Sequence, residues 1–460
     1  MHAIFGPTLD ELLHPDTIDP AIRRKAKAAR KKNILDPINL FNMNWKNPET
    51  GKTNYFVMPQ ALTGVDAQIV VMVAKDFPTG SHKVGPAYSC TIEKYVNGEL
   101  DPDKHTLVFP STGNYGVGGA WVSGRAGFKG MVILPEGMSK ERFQMIESFG
   151  AGIIKTYGSE SNVKEIYDEC NRIRREHPED YRILNQFEEM GNYRFHYHVT
   201  GNTAVELEPE LSKKLGTRGI SAFCSSMGSA GTIAAADRIK QVFPGCKVIG
   251  LEPTQCPTLF NNGYGSHEIQ GIGDKHVTWI HHVTNMDGLA CVDDMECLRI
   301  LHVFTHPLGQ EEMKKSYGLS DKDVQNISES FGISGICNLI GAIKTAKHFG
   351  MGKHDAILIP ATDNIARYHS TMAEMEQHHP MSETAVHARV GGILRNQKTD
   401  WYMDGTPEAR RRWHNLKYYT WVEQQGKSVA ELNAQLDPEW WLAEQAKIPA
   451  VNKKIAAMRG

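Results

Sequence analysis

Short apolar runs alternate with amphipathic stretches through the middle of the chain. Residues 67–74 form an apolar run between polar and turn residues, the pattern of a strand buried on both faces. Residues 106–109, 130–134, 152–154, 220–226, 247–253 and 356–360 repeat it. Between them, helical spacing covers 81–95, 115–126, 139–149, 162–175, 230–242 and 336–349. Strands alternating with helices predict right-handed βαβ units and mostly parallel sheets with helices on both faces. The ends differ from this middle. Residues 1–55 are mixed and carry a basic run, Arg23-Arg-Lys-Ala-Lys27 and Arg30-Lys-Lys32, expected to be a solvated helix face. Residues 376–460 are richer in aromatic pairs such as Tyr418-Tyr419 and Trp440-Trp441, and are expected to form an appended helical region over an apolar surface.

Composition narrows the class. The chain has 460 residues, 40% hydrophobic and 23% charged, as in ordinary globular proteins. Its 51 basic and 53 acidic residues give 51 − 53 = −2, without the basic excess of a nucleic-acid binder. No apolar run approaches the roughly 20 residues that span a bilayer. The start, MHAIFGPTLDELLH, lacks the basic-then-apolar pattern of a secretory signal. Eight scattered cysteines include no Cys-x-x-Cys pair, so reduced, buried thiols are expected. A cytoplasmic protein, with no nucleic-acid or membrane partner, is the expectation.

Three strand-to-helix loops carry the chemistry. Ser225-Ser-Met-Gly-Ser-Ala-Gly-Thr232 has glycines that let the backbone approach a ligand, and free N–H groups at a helix start that suit an anion. A plain βα turn has the same composition. Pro110-Ser-Thr-Gly-Asn-Tyr-Gly-Val-Gly-Gly119 offers N–H groups and small hydroxyls to a carboxylate or phosphate. Neither loop is a P-loop or a dinucleotide fingerprint. In Phe77-Pro-Thr-Gly-Ser-His-Lys83, Ser81 as helix cap would put Lys83 in the first turn. The helix dipole and desolvation would there depress the amine's pKa and favour a nucleophile. An exposed surface lysine is the equal alternative.

In this order the loops resemble the pyridoxal-phosphate enzymes of fold type II, the tryptophan-synthase-β fold, and most of all the cysteine synthase and cystathionine β-synthase family. Val248-Ile-Gly-Leu-Glu-Pro253 with His267-Glu-Ile-Gln-Gly-Ile-Gly273, Gly332-Ile-Ser-Gly335, Ile359-Pro-Ala-Thr-Asp-Asn-Ile-Ala-Arg-Tyr368 and Asn185-Gln-Phe187 sharpen the likeness, which spans roughly 60–372. The resemblance implies two three-layer α/β domains with pyridoxal 5′-phosphate in the cleft between them. The large domain would be 56–76 with 190–375, the small mobile substrate domain 77–189, flanked by an N-terminal extension 1–55 and a helical extension 376–460. It also implies a homodimer acting on a small amino acid.

Residue by residue, the resemblance makes Lys83 the Schiff-base lysine and the catalytic base. Gly228, Ser229, Ala230, Gly231 and Thr232 would bind the cofactor phosphate, and Asn114 its 3′ oxygen. Ser111, Thr112, Gly113 and Gln186 would receive the substrate carboxylate. Thr362 would face the pyridine nitrogen, with Asp363 as the alternative. The implied activity is β-replacement on a serine- or cysteine-like amino acid through an aminoacrylate. The alternative is a β-eliminating lyase, of ammonia-lyase or desulfhydrase type, releasing an oxo acid and ammonia. His82 would relay a proton or orient a loop. The histidines at 196, 198, 281, 282, 378 and 379 do not make a metal set, so no catalytic metal is expected. The sequence departs from the family at Ser81-His-Lys-Val-Gly85, at Glu188-Glu-Met-Gly-Asn192, in lacking Asn-Thr-Pro-Leu near the start, and in its carboxy-terminal extension.

Overall fold

The computed structural model describes residues 4–111, 113–158 and 162–459. Eleven strands run along them: β1 (Tyr55–Val57), β2 (Gln68–Val73), β3 (Thr106–Pro110), β4 (Lys129–Pro135), β5 (Gly152–Thr156), β6 (Tyr181–Ile183), β7 (Ile220–Ser226), β8 (Lys247–Pro253), β9 (Gly288–Val292), β10 (Ala356–Ala361) and β11 (Tyr402–Asp404). They form two sheets. The larger has the order β1-β2-β10-β7-β8-β9-β11 and the smaller β5-β4-β3-β6. Every pairing in the smaller sheet is parallel, and in the larger only the edge strands β1 and β11 pair antiparallel. The fold is α/β, with helices packed on the sheets and a helical carboxy-terminal region.

The apolar runs explain the layers. In β2, Ile69, Val71 and Val73 enter one core while Val70 and Met72 enter the core on the opposite face. In β4 of the smaller sheet, Val132 and Leu134 face one layer and Ile133 the other. All eight cysteines are buried and unpaired. The basic run lies on the helix Pro20–Lys32, which Asp19 caps; Ala26 and Ala29 are its buried face, and Arg23, Arg24, Lys25 and Lys27 are exposed.

Four expectations need correction. Ser81 does not cap the helix after it. The turn at 80–83 delays the helix to Val84–Val96, and Lys83 itself is the cap residue, with the Ser81 hydroxyl accepting from its N–H at 3.4 Å. The helix expected over 230–242 begins as a 3₁₀ turn at Thr232–Ala234, because Ala230 has φ +59°, a left-handed value. The extension is not purely helical: β11 closes one edge of the larger sheet. Helices at Met190–Phe195, Asn202–Leu215, Asp294–Thr305, Pro307–Tyr317 and Asp321–Ser330 were not anticipated.

One consequence of the topology fixes the site. The loops after β2, β3, β6, β7 and β10 all leave the carboxyl ends of parallel strands, where open α/β sheets place ligands. Two sheets thereby aim five loops at one crevice.

Candidate active site

Lys83 stands at the centre of that crevice. Its Nζ lies 3.0 Å from Ser229 Oγ and 3.4 Å from Gln186 Oε1. Two loops, each more than a hundred residues from Lys83 in sequence, meet on this one amine. Burial lowers its pKa to about 8, against a smaller opposing pull from Asp274. Close to neutral pH a useful fraction is therefore free amine, the form that attacks a carbonyl.

Residues 228–232 form a cup after β7. A Cβ on Gly228 would stand 2.7 Å from Gly271 O, and one on Gly231 would stand 2.0 Å from Asn192 Oδ1. Ala230 in the left-handed region completes the bend. The N–H groups of Ser229 and Ala230 donate to no acceptor among the described residues. Uncommitted donors in a glycine-walled concavity before a helix are the donor set an anion requires, so the residues present fit a phosphate group.

His82 braces the cup from behind. Its Nδ1 is 3.1 Å from Thr362 O, and a carbonyl only accepts, so Nδ1 carries the hydrogen. Nε2 then accepts from the Thr232 hydroxyl at 2.8 Å. Burial pushes the ring's pKa down to about 3, so it stays neutral. His82 thus joins the lysine loop, the cup and the loop after β10.

Around the opening, Gly113 N donates to Ser111 Oγ at 2.9 Å. Thr112 lies outside the described residues. Asn114 Nδ2 donates to Asp363 Oδ2 at 2.6 Å, and Asn114 Oδ1 accepts from Arg367 Nε at 2.7 Å. Asp363 Oδ2 also accepts from Tyr368 OH at 2.6 Å. Asp363 is thereby turned into a buried network behind the cleft, whereas Thr362 lines the cleft itself. The Thr362 hydroxyl shares a 2.8 Å hydrogen bond with Ser334 Oγ, which lines the same wall.

Sequence reasoning missed two contributors. Ser334 lay inside Gly332-Ile-Ser-Gly335, a stretch noted only as a likeness. Asn192 lay in the departure at 188–192. Its Nδ2 donates to Gln186 O at 2.9 Å and Ser229 Oγ at 3.0 Å, tying the Gln186 loop to the cup. No spacing rule connects 192 with 229, so only the fold reveals this link.

A separate group comprises His302 on the helix Asp294–Thr305, His306 just past that helix's end, and Glu376 on the helix His369–His378. His302 Nδ1 meets Arg389 Nη1 at 3.1 Å, and His306 Nδ1 accepts from Leu308 N at 3.1 Å. Both rings therefore carry hydrogen on Nε2, the atom turned toward Glu376, and offer no lone pair there to a metal.

Comparison with known proteins identifies the family. The profile described as "Pyridoxal-phosphate dependent enzyme" matches residues 51–327. The chain belongs to that family. It is an enzyme that uses pyridoxal 5′-phosphate. A cysteine synthase of Staphylococcus aureus is 27% identical over 306 residues, covering 66% of this chain and 88% of that protein. Among solved structures, the O-acetylserine-dependent cystathionine β-synthase of Helicobacter pylori is 25% identical with TM-score 0.57, covering 70% of this chain and 95% of that one. O-acetylserine sulfhydrylase isoform 3 of Entamoeba histolytica shares the fold at 20% identity, TM-score 0.61, covering 79% and 96%. No helix among the described residues is long and apolar enough to cross a membrane.

Proposed function

We propose that the enzyme catalyses β-replacement on a serine- or cysteine-like amino acid, a reading supported by its likeness to cysteine synthases. The observation that carries the reading is the meeting of Lys83 Nζ with Ser229 Oγ and Gln186 Oε1, which sets the amine between an anion cup and a polar rim. Lys83 is the covalent anchor of the cofactor aldehyde. Gly228, Ser229, Ala230, Gly231 and Thr232 hold its phosphate, and Asn114 its ring oxygen. Thr362, with Ser334 bonded to it, faces the ring nitrogen. When bound, the cofactor supplies an electron sink for the bond broken at the substrate's Cα.

The chain's own groups do the rest. Ser111, Thr112, Gly113 and Gln186 orient the substrate carboxylate. The Lys83 amine would serve as the base that takes the Cα proton. The leaving group departs from Cβ with the bonding electron pair. A nucleophile then adds at Cβ, gives up its proton, and Lys83 returns one to Cα. A hydroxyl rather than a carboxylate at the ring nitrogen favours this β-chemistry over transamination, because a neutral ring is the weaker sink. Residues 77–189 act as the smaller, mobile unit that closes over the carboxylate and excludes water. The assembly is a cytoplasmic homodimer.

The test is product analysis with O-acetylserine, serine and cysteine, with and without sulfide. Replacement predicts cysteine formed from O-acetylserine only when sulfide is present, in proportion to sulfide consumed. Pyruvate and ammonia formed from a single substrate would assign the enzyme to the eliminating lyases. Two cognate structures of a hydrogen sulfide-producing enzyme from Fusobacterium nucleatum share this fold, which makes that second outcome worth measuring.

A further inference from the structure

The carboxy-terminal extension reaches the back of the cup, and it does so through a short unpaired segment. Residues 277–282 belong to no strand, yet Val277, Trp279, Ile280 and His281 are buried. Buried carbonyls in such a segment need donors from elsewhere. The extension supplies them. Trp421 Nε1 donates to Val277 O at 2.8 Å. Lys417 Nζ donates to Trp279 O at 3.0 Å, His281 O at 2.7 Å and Gln435 Oε1 at 2.6 Å. Gln435 Nε2 also donates to Trp279 O, at 3.2 Å, and the Trp441 ring stacks on His282 at 4.2 Å.

The opposite side of the same segment faces the site. Thr278 Oγ1 donates to Ser229 O at 2.9 Å, and Trp279 N donates to Phe187 O at 2.9 Å. Residues 277, 279 and 281 thus hang from the extension, while residue 278 holds the cup between them. Trp279 also fixes the backbone next to Gln186. Lys417 is fully buried. Burial works against its charge, but only an ammonium has three N–H bonds to give three acceptors, so the three oxygens hold the proton on. A single buried cation therefore gathers two carbonyls of this segment and one side chain of the extension.

We propose that Lys417 is a positioning residue, through which the carboxy-terminal extension sets the cofactor-phosphate cup by way of the 277–282 segment. The matched family region ends at 327, so this brace belongs to the part of the chain outside it. The proposal rests on the reading that residues 228–232 hold the phosphate.

The experiment measures affinity of the apoprotein for pyridoxal phosphate and for pyridoxal, by tryptophan fluorescence and equilibrium dialysis. Lys417→Met is expected to weaken pyridoxal phosphate by about tenfold or more, as lost buried hydrogen bonds relax the cup. Pyridoxal, which lacks the phosphate, should lose little. Lys417→Arg should restore most of the affinity. Lys344→Met is the control for general damage. Lys344 is also buried and donates to Asp400 O at 2.8 Å, but it lies ten residues, about 15 Å, along its helix from Ser334. Trp421→Phe keeps an aromatic ring while removing the indole N–H that bonds Val277 O, and gives a milder version should Lys417→Met fail to fold.

Unchanged pyridoxal-phosphate affinity in Lys417→Met and Trp421→Phe would overturn the proposal. So would an equal loss for pyridoxal, or an equal loss in Lys344→Met. Ser229→Ala separates the two layers of the argument. If it weakens pyridoxal phosphate while Lys417→Met does not, the brace alone is wrong. If neither variant matters, the cup assignment falls with it.

Discussion

Lys83 is partly accessible by area, but its amine is directed inward onto Ser229 and Gln186, and that desolvation lowers its pKa to about 8. Acetylation of the apoprotein followed by peptide mass spectrometry should therefore find Lys83 half-reactive near pH 8, while exposed lysines follow the ordinary value near 10.5. A Lys83 titrating with the exposed lysines would remove the basis for its activation. The same shift fixes a stability trend. A depressed folded-state pKa means the unfolded chain binds more protons between about 8 and 10.5, so stability rises with pH through that window: the cost of burying the ammonium is fully present below it and gone above it. The stability gap between the apoprotein and Lys83→Met should accordingly close as pH rises from 8 to 10.5, read from urea midpoints. Lys83→Ala should cut turnover at least about a hundredfold, the scale of a lost acid–base group. On placement alone Lys83 was even with an exposed surface lysine, and the resemblance carried by the ordered loops is what singled it out. Ser334 and Asn192 were not legible, since a serine and an asparagine in loops signal nothing until the fold brings them to Thr362 and Ser229.

The cup is the element where local sequence and tertiary demand meet most tightly. Gly231 cannot carry a side chain without displacing Asn192, which itself spans Gln186 and Ser229. Gly231→Ala is predicted to weaken pyridoxal phosphate by about tenfold or more, because the intruding methyl takes up donor space at the cup. Ala230 is the opposite case. It holds φ +59° with a Cβ in place, a conformation costing roughly 1–2 kcal/mol for a non-glycine residue. Ala230→Gly should raise the apoprotein's unfolding free energy, by up to about 1 kcal/mol after glycine's larger unfolded-state entropy is subtracted. A lower stability in that variant would show that the alanine methyl packs usefully. The glycines and the strand before them could be read from sequence. The left-handed alanine could not, and it moved the helix start from 230 to 232.

At the scale of the molecule, β9 escaped the sequence reading although it is buried throughout, while β2, β3, β4, β5, β7, β8 and β10 were legible as short apolar runs. β1, β6 and β11 were not, being three residues each with half-exposed positions and held only by their neighbours. The extension's aromatic pairs announced a buried surface without saying which. Trp421 and Trp441 turn out to pack against the segment behind the cup. Because the family profile ends before this region, the ordering of the site depends partly on residues outside the matched part of the chain.

The most direct test of the whole account is covalent. Load the protein with pyridoxal phosphate, reduce it with borohydride, digest it and map the modified peptide. The account predicts one phosphopyridoxyl group per chain, on Lys83. A label on another lysine, or none, would contradict it.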